Sequence, residues 1–454
     1  MQQMINRLRS FVHRKRELLL PSGSLRGRFA LGLFWSLFAA VISRSFNLAA
    51  SVVAARLLGE ARFGEYGMVQ STVGTAGAFS VLGLGLTAIK YVAEYRDKDP
   101  ARVARVLRMS SIASIVSGLL VAAVLALVSP LLASRVLAAP RLSVPLMLGS
   151  TMVLLNAVLS FQNGALAGFE AFRALARTSV ASGLASFPLI ALGAWKGGVA
   201  GTVIGTSASV FVNVLLNEWI LRGQCRKERL PRGDGWRQEL PVFWSFSLPA
   251  FLASFAVAPS LWMCNALLVN HPGGYPQLGL YTAADRWRIA LLFVPTTVFR
   301  MVLPMLSNLK GNANMVGYDR VNRANLLLNL AVVAVPALAI CGLAGSIMAA
   351  YGPGFRVGWP ILAVLAIGTI PEALNTVFGY PLIVAHRMWM RFGFDVVLAL
   401  VILGLGAALI PSRGAFGLAV AYVTGFTVTS TGLYLFTWRP LDEAAKRHLD
   451  PAPG

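Results

Sequence analysis

Apolar residues fall in long runs along this chain, and polar residues gather between them. The runs cover about 29–56, 64–90, 106–131, 144–168, 174–195, 197–221, 242–269, 278–306, 324–350, 357–385, 392–411 and 414–438. Each is near or above the roughly 20 residues that a helix needs to cross a bilayer, and several are long enough to tilt. They are too long for barrel strands, so the element that satisfies its own backbone in hydrocarbon is the α-helix. The pattern predicts an all-α polytopic membrane protein with about twelve transmembrane helices. The longest interior polar stretch, from about Arg222 to Leu240, splits them six and six. The predicted segments are a basic N-terminal segment (1–28), an N-lobe with spans one to six (29–221), a linker (222–241), a C-lobe with spans seven to twelve (242–438) and a tail (439–454).

Composition sharpens this picture. Of 454 residues, 56% are hydrophobic and only 13% charged, about half the roughly 25% charged of a soluble domain. Yet 40 Lys and Arg face 18 Asp and Glu, a net charge of +22. These values exclude a soluble enzyme, a secreted disulfide scaffold and a disordered chain. Cys225, Cys264 and Cys341 are far apart, and the four histidines are isolated, so neither disulfides nor a zinc site is expected. No phosphate-binding G-x-x-x-x-G-K-[ST] stretch and no large loop provide for an ATP-driven domain or a nucleic-acid partner. Met4, Ile5, Leu8, Phe11 and Val12 read either as a helix lying on the membrane surface or as part of a basic tail.

The positive charge orients the chain. With the N-terminus in the cytoplasm, 29 of the 40 Lys and Arg lie in cytoplasmic segments, 7 in the opposite loops and 4 within spans. That asymmetry places both termini in the cytoplasm. Arg102, Arg105 and Arg108 open span three at i+3 spacing and read as orientation signals and lipid headgroup contacts. Asp97-Lys98-Asp99 has a metal-binding D-x-D form but stands in a short charged loop, where catalysis is not expected.

Weak matches recur in the same order in both halves. Phe34-Trp35-Ser36 is matched by Phe243-Trp244-Ser245, and Phe63-Gly64-Glu65-Tyr66 by Leu278-Gly279-Leu280-Tyr281. Leu166-Ala167-Gly168-Phe169 is matched loosely by Leu382-Ile383-Val384-Ala385. Gly198 and Gly201 are matched by Gly414 and Gly417. An even number of spans per copy predicts parallel repeats around an axis along the membrane normal, with a site at their interface. Proline is unequal: 6 in residues 1–222 and 17 in 223–454, which predicts a more bent second half.

Ionisable side chains within spans mark candidate function, because each costs a few kcal/mol to insert. Arg44 shares a face of span one with Asn47 and Ser51. Asp285, Arg286, Arg288 and Arg300 lie in span eight, Glu372 in span ten beside Pro371, and Asp395 in span eleven. The candidate substrate-binding residues are Arg44, Asn47, Arg56, Arg286, Arg288 and Arg300. The candidate ion-coupling residues are Asp285, Glu372 and Asp395. Asp285 also has a simple partner in Arg286 or Arg288. The polar stripes Thr202, Thr206, Ser209, Asn213 and Asn156, Ser160, Asn163 read first as contacts between helices. No catalytic residues, cofactors or metal ligands are expected.

Ser43-Arg44, Ala55-Arg56-Leu57-Leu58-Gly59 and Phe63-Gly64-Glu65-Tyr66 resemble the opening of the polysaccharide-type flippases. These belong to the multidrug/oligosaccharidyl-lipid/polysaccharide exporter superfamily. Gly83-Leu84-Gly85 followed by Lys90-Tyr91-Val92-Ala93-Glu94-Tyr95 is similar to the end of that family's second helix. The resemblance implies two six-helix lobes in a V around a central cavity. It implies transport of an undecaprenyl-diphosphate-linked oligosaccharide from the cytoplasmic to the outer leaflet of a bacterial inner membrane, beside a polysaccharide polymerase or ligase. Arg44 matches a Ser-Arg position of the related murein-precursor branch. The next arginine of that pattern falls near Ala50, which moves weight to Arg286, Arg288 and Arg300. Two alternatives stand beside it: a cation-coupled drug exporter of the same superfamily, and a membrane-embedded glycosyltransferase or polymerase.

Overall fold

Backbone N–H and C=O groups find no water inside a bilayer, so a spanning chain must bond them within its own helices. The computed structural model describes residues 25–96, 98–240, 257–311, 315–385 and 387–438. Its described side chains begin at Val41 and omit several between 297 and 311, Arg300 among them. The helices are α1 (Leu25–Val81), α2 (Leu84–Tyr95), α3 (Pro100–Leu131), α4 (Ser143–Gly168), α5 (Phe172–Lys227), α6 (Val257–Val269), α7 (Gly274–Leu291), α8 (Phe293–Gly311), α9 (Met315–Tyr351), α10 (Trp359–Val384) and α11 (Met388–Leu433). No strand occurs among the described residues. On α3, Leu120, Val124, Leu127 and Leu131 form one exposed stripe. A surface this apolar suits lipid rather than water.

The reversals sit at glycines. Gly198 in α5 has φ 55° and ψ −133°, and Gly414 in α11 has φ 53° and ψ −132°. This is a conformation that Gly adopts readily and other residues avoid. Either side of Gly198 the chain is antiparallel: Gly193 backs onto Gly201, and Leu189 onto Gly205. Around Gly414 the same pairing brings Leu409 onto Gly417. Predicted spans five and six are therefore the arms of α5, and spans eleven and twelve the arms of α11. A break at Gly59, φ 72°, separates the first two spans in α1. Span seven is described only from Val257, and Phe243-Trp244-Ser245, the N-terminal segment to residue 24, Asp97 and the tail from 439 lie outside the described residues. Span eight is two helices, α7 and α8, meeting at Leu292. The junction falls just before Pro295, which has no N–H to continue the ladder. Pro336, Pro371 and Pro381 are carried inside α9 and α10, where no residue leaves helical dihedrals.

Asp99, the last residue of the D-x-D stretch, caps α3. Its carboxylate accepts the Arg102 backbone N–H at 2.9 Å, with Pro100 at the first helical position. Both residues suit a helix start. Arg102, Arg105 and Arg108 face the protein as well as the rim. Arg102 and Arg105 donate to the buried carboxylate of Glu239 at 3.4 and 3.3 Å, and Arg108 pairs with Asp234. The linker thus folds back onto α3, which the sequence pattern alone did not suggest.

The two halves meet where α1 packs on α6 and α7. Their contacts come in reciprocal pairs. A Cβ at Gly64 would strike the Tyr275 carbonyl oxygen, and one at Gly279 the Glu60 carbonyl oxygen. Gly64 and Gly279 differ by 215 positions, as do Glu60 and Tyr275. Arg56 Nε donates to the Ala350 carbonyl at 2.6 Å, and Asn270 Nδ2 to the Val136 carbonyl at 2.7 Å. Those partners are also matched, at an offset of 214. Contacts that exchange in this way are the signature of a two-fold relation. They close one rim of the molecule, the rim of the glycine turns; the linker lies at the other.

Close backbone approach at small residues is how membrane helices pack without a hydrophobic force between them. Gly64→Val should therefore pry the glycine rim apart. A disulfide between cysteines introduced at Glu60 and Gly354, which touch, reads this out in a background free of the native cysteines. Efficient cross-linking is expected while Gly64 is kept, and a large loss once Gly64→Val is added. Equal cross-linking in both proteins would show that the approach does not hold the rim.

Candidate functional site

Beneath the closed rim, the inner faces of the two halves enclose a cavity of about 160 Å³. α1 contributes Arg44, Asn47 and Ser51 from its first arm and Tyr66 and Gln70 from its second. α5 contributes Thr206, and α7 contributes Arg286. Arg44, Asn47 and Ser51 share one face because they are three and four residues apart. A hydrogen-bonded wall backs them. Gln70 Nε2 donates to the Tyr66 hydroxyl at 2.8 Å, which lies 3.0 Å from the Thr206 hydroxyl. The Asn47 amide donates to the Ser43 carbonyl at 2.8 Å, which fixes its rotamer.

The charge in this cavity is one-sided. Arg44 is half-buried, and its guanidinium carbon lies 4.6 Å from the centroid of Phe293, a residue of α8. Arg44 thus reaches across to the other half. Among the described residues no carboxylate pairs with Arg44 or Arg286, and no acid lines the cavity. Two arginines in a low-dielectric recess are stable only with water or an anion to bond. Guanidinium groups present N–H donors in a planar fork that fits phosphate oxygens. At 160 Å³ the space suits a compact anionic group and falls below the roughly 300–1,000 Å³ of larger ligand pockets.

Arg288 behaves differently from its neighbour. Its Nε donates to Asp285 at 2.6 Å, and its Nη1 reaches both Glu372 oxygens at 2.8 and 2.9 Å and the Tyr422 hydroxyl at 2.7 Å. The Tyr422 ring also lies 4.8 Å from the guanidinium carbon. Asp285 and Glu372 are therefore brought together, by one arginine, into a cluster carrying one excess negative charge. Asp395 belongs to a separate pair: Arg391 bonds it at 2.9 Å and the Asn375 amide oxygen at 2.8 Å.

The other candidates are spread. Arg56 is at the rim, bonded to Ala350. The side chain of Arg300 lies outside the described residues. Asn163 accepts from Asn217 at 2.9 Å, so part of that stripe joins helices. Tyr66 and Gln70 were not among the sequence candidates. The available signal was a lone amide one turn after a tyrosine, followed by Ser71 and Thr72. Among the described residues no three His, Cys, Asp or Glu side chains gather as a metal site.

Several known proteins resemble the chain. A family model described as polysaccharide biosynthesis protein matches residues 29–310. The EPS I polysaccharide export inner membrane protein EpsE of Ralstonia nicotianae is 27% identical over 183 residues, which are 40% of this chain and 42% of that protein. Its namesake in Ralstonia solanacearum is 26% identical over 202 residues, 44% of each chain. The match thus spans less than half the length of these curated relatives. An inward-facing multidrug resistance MATE family transporter of the MOP superfamily superposes with a TM-score of 0.74 at 14% identity, over 91% of this chain and 99% of that one. The lipid II flippase MurJ, in an inward closed conformation, gives 0.69 at 14% identity, over 88% and 86%. At that identity the likeness establishes a shared fold: an all-α, V-shaped bundle.

Proposed function

Because the chain belongs to the polysaccharide biosynthesis protein family, we propose that it is a flippase for a polyprenyl-diphosphate-linked oligosaccharide. It carries the headgroup from the cytoplasmic to the periplasmic leaflet of the bacterial inner membrane by alternating access. The observation that carries this reading is the pair Arg44 and Arg286. They come from opposite halves and line one cavity, and among the described residues no acid lines it with them. A diphosphate crossing hydrocarbon needs such compensation, and an arginine fork supplies it. Polar Asn47, Gln70 and Thr206 border the same space and suit the sugar next to the phosphates. With both termini in the cytoplasm, the glycine rim is periplasmic, and the conformation described is closed on that side. The substrate comes from a membrane glycosyl transfer reaction and passes to polymerase or ligase machinery. The one-sided positive cavity favours this over export of cationic drugs. The test is substitution of the two arginines, read as loss of surface polysaccharide while the lipid-linked glycan persists on the inner leaflet.

Energy for this movement is proposed to enter through Asp285 and Glu372, with Asp395 as a further acid. Their shared partner Arg288 lies two positions from Arg286 on α7, on a different face of the helix, and next to Ile289, which lines the cavity, so a change of charge there reaches the cavity through movement of α7. Neutralising the three acids as Asp285→Asn, Glu372→Gln and Asp395→Asn should abolish the dependence of transport on an ion gradient. Transport that stays gradient-dependent in the triple variant would put the coupling group elsewhere.

A further inference from the structure

A second recess lies away from the central cavity, between the two arms of α5 at the linker rim. It holds about 710 Å³. Its wall is apolar, with Leu216, Trp219 and Ile220, and its mouth carries Arg177, Arg222 and Arg226. The order along the helix separates the two parts. Leu216, Trp219 and Ile220 all precede Arg222 and Arg226 on the arm that runs toward the linker, by two to ten residues or about 3–15 Å along the axis, so the apolar wall lies on the bilayer side of these charges. Trp219 is 76% exposed, as an aromatic residue at a membrane interface is expected to be.

Among the described residues this charge is only partly cancelled. Arg222 pairs with Glu218 at 2.7 Å, but both side chains are exposed, 71% and 37%, and such a pair is weak. Among the described residues no carboxylate pairs with Arg177 or Arg226. Three arginines and one glutamate leave a net charge of +2 at the mouth. Arg222 and Arg226 are four apart and share a face, and Arg177 lies on the other arm, level with about residue 217 in the register that sets Gly193 against Gly201 and Leu189 against Gly205. The recess is also open where a side chain could have filled it: a Cβ at Gly223 would meet nothing within 4 Å.

We propose that this recess is a binding site for one anionic phospholipid. The phosphate sits among Arg177, Arg222 and Arg226, and an acyl chain lies along Leu216, Trp219 and Ile220. An apolar wall alone would take any lipid, and the arginines select the anionic headgroup. Such a lipid ties the two arms of α5 together at the end opposite Gly198. The site is independent of the transported substrate.

The test uses the full chain in detergent, with phosphatidylglycerol or phosphatidylcholine added and bound lipid read by native mass spectrometry. One retained phosphatidylglycerol is expected, with no equivalent phosphatidylcholine. Arg177→Gln with Arg226→Gln should weaken that binding about 30-fold, at the contribution of one cationic side chain near an anionic surface taken twice. Arg229→Gln with Arg232→Gln removes the same charge from the linker outside the recess and should leave binding intact. Gly223→Leu keeps every charge, fills the open space and should expel the lipid. Equal loss in the two arginine pairs would reduce the effect to general attraction by a basic protein and overturn the site. Retention in the Gly223→Leu protein, or equal retention of phosphatidylcholine, would overturn it too.

Discussion

Arg44→Ala and Arg286→Ala are each expected to abolish surface polysaccharide while the protein still inserts and accumulates. Neither arginine holds the fold through an ion pair with a described acid, so removing one leaves no buried carboxylate behind. In the proposed function each supplies charge-assisted hydrogen bonds to an anion, worth about 1.5–3 kcal/mol apiece, which is roughly a 10- to 150-fold loss of affinity per bond. Because both would grip one ligand, the double variant should lose less than the two single losses combined. Arg44→Lys keeps the charge and gives up the fork, so partial transport is expected. The measurement is the amount of surface polysaccharide set against protein abundance in the same membranes. Normal polysaccharide in both single variants would remove the arginine cavity from the mechanism.

Arg288→Met should act on stability instead. Asp285 and Glu372 share that one guanidinium, and its removal strands two carboxylates among apolar helices. Breaking a buried pair from one side costs about 3–5 kcal/mol, a large part of the roughly 5–15 kcal/mol that holds a domain folded. The variant should fail to accumulate, or melt well below the wild type in detergent. Adding Asp285→Asn and Glu372→Gln removes the stranded charges and should restore abundance without restoring ion-coupled transport. A single Arg288→Met protein as stable as the wild type would show that the carboxylates find other partners. Arg286 and Arg288, two positions apart, thus differ in their surroundings: Arg286 lines the cavity and Arg288 is bonded to two acids.

The spans were legible because the bilayer imposes their length. Gly198 and Gly414 were legible as a repeat, and the structure gives them the same backbone conformation. What the linear pattern hides is contact across the fold. Glu372 stands 84 positions from Arg288, and nothing in either neighbourhood marks the other. Arg102, Arg105 and Arg108 look like any basic helix start until the linker returns Asp234 and Glu239 to them. Arg56 looks like a rim arginine for substrate, yet its described bond is to a backbone carbonyl, a partner with no side-chain signature. Proline promised bends, and the junction before Pro295 fits that, but the marked departures from helical dihedrals inside α1, α5 and α11 fall at glycine, because helices inside a membrane bundle tolerate proline.

The paired bonds at the glycine rim have their acceptors on the main chain. The donors have diverged between the halves, arginine at 56 and asparagine at 270, yet both reach carbonyls, of Ala350 and Val136. A carbonyl cannot be substituted away, so either copy could change its side chain without abandoning the fastening. The closure is also redundant, since losing one member leaves its counterpart in place. Arg56→Ala alone removes one charge-assisted bond at an exposed site, about 1.5 kcal/mol, too little to free a rim fastened twice. The two bonds therefore act as a clasp with two hooks, tolerant of the loss of either side chain, unlike the Gly64–Gly279 approach, where one added side chain is enough to wedge the rim open.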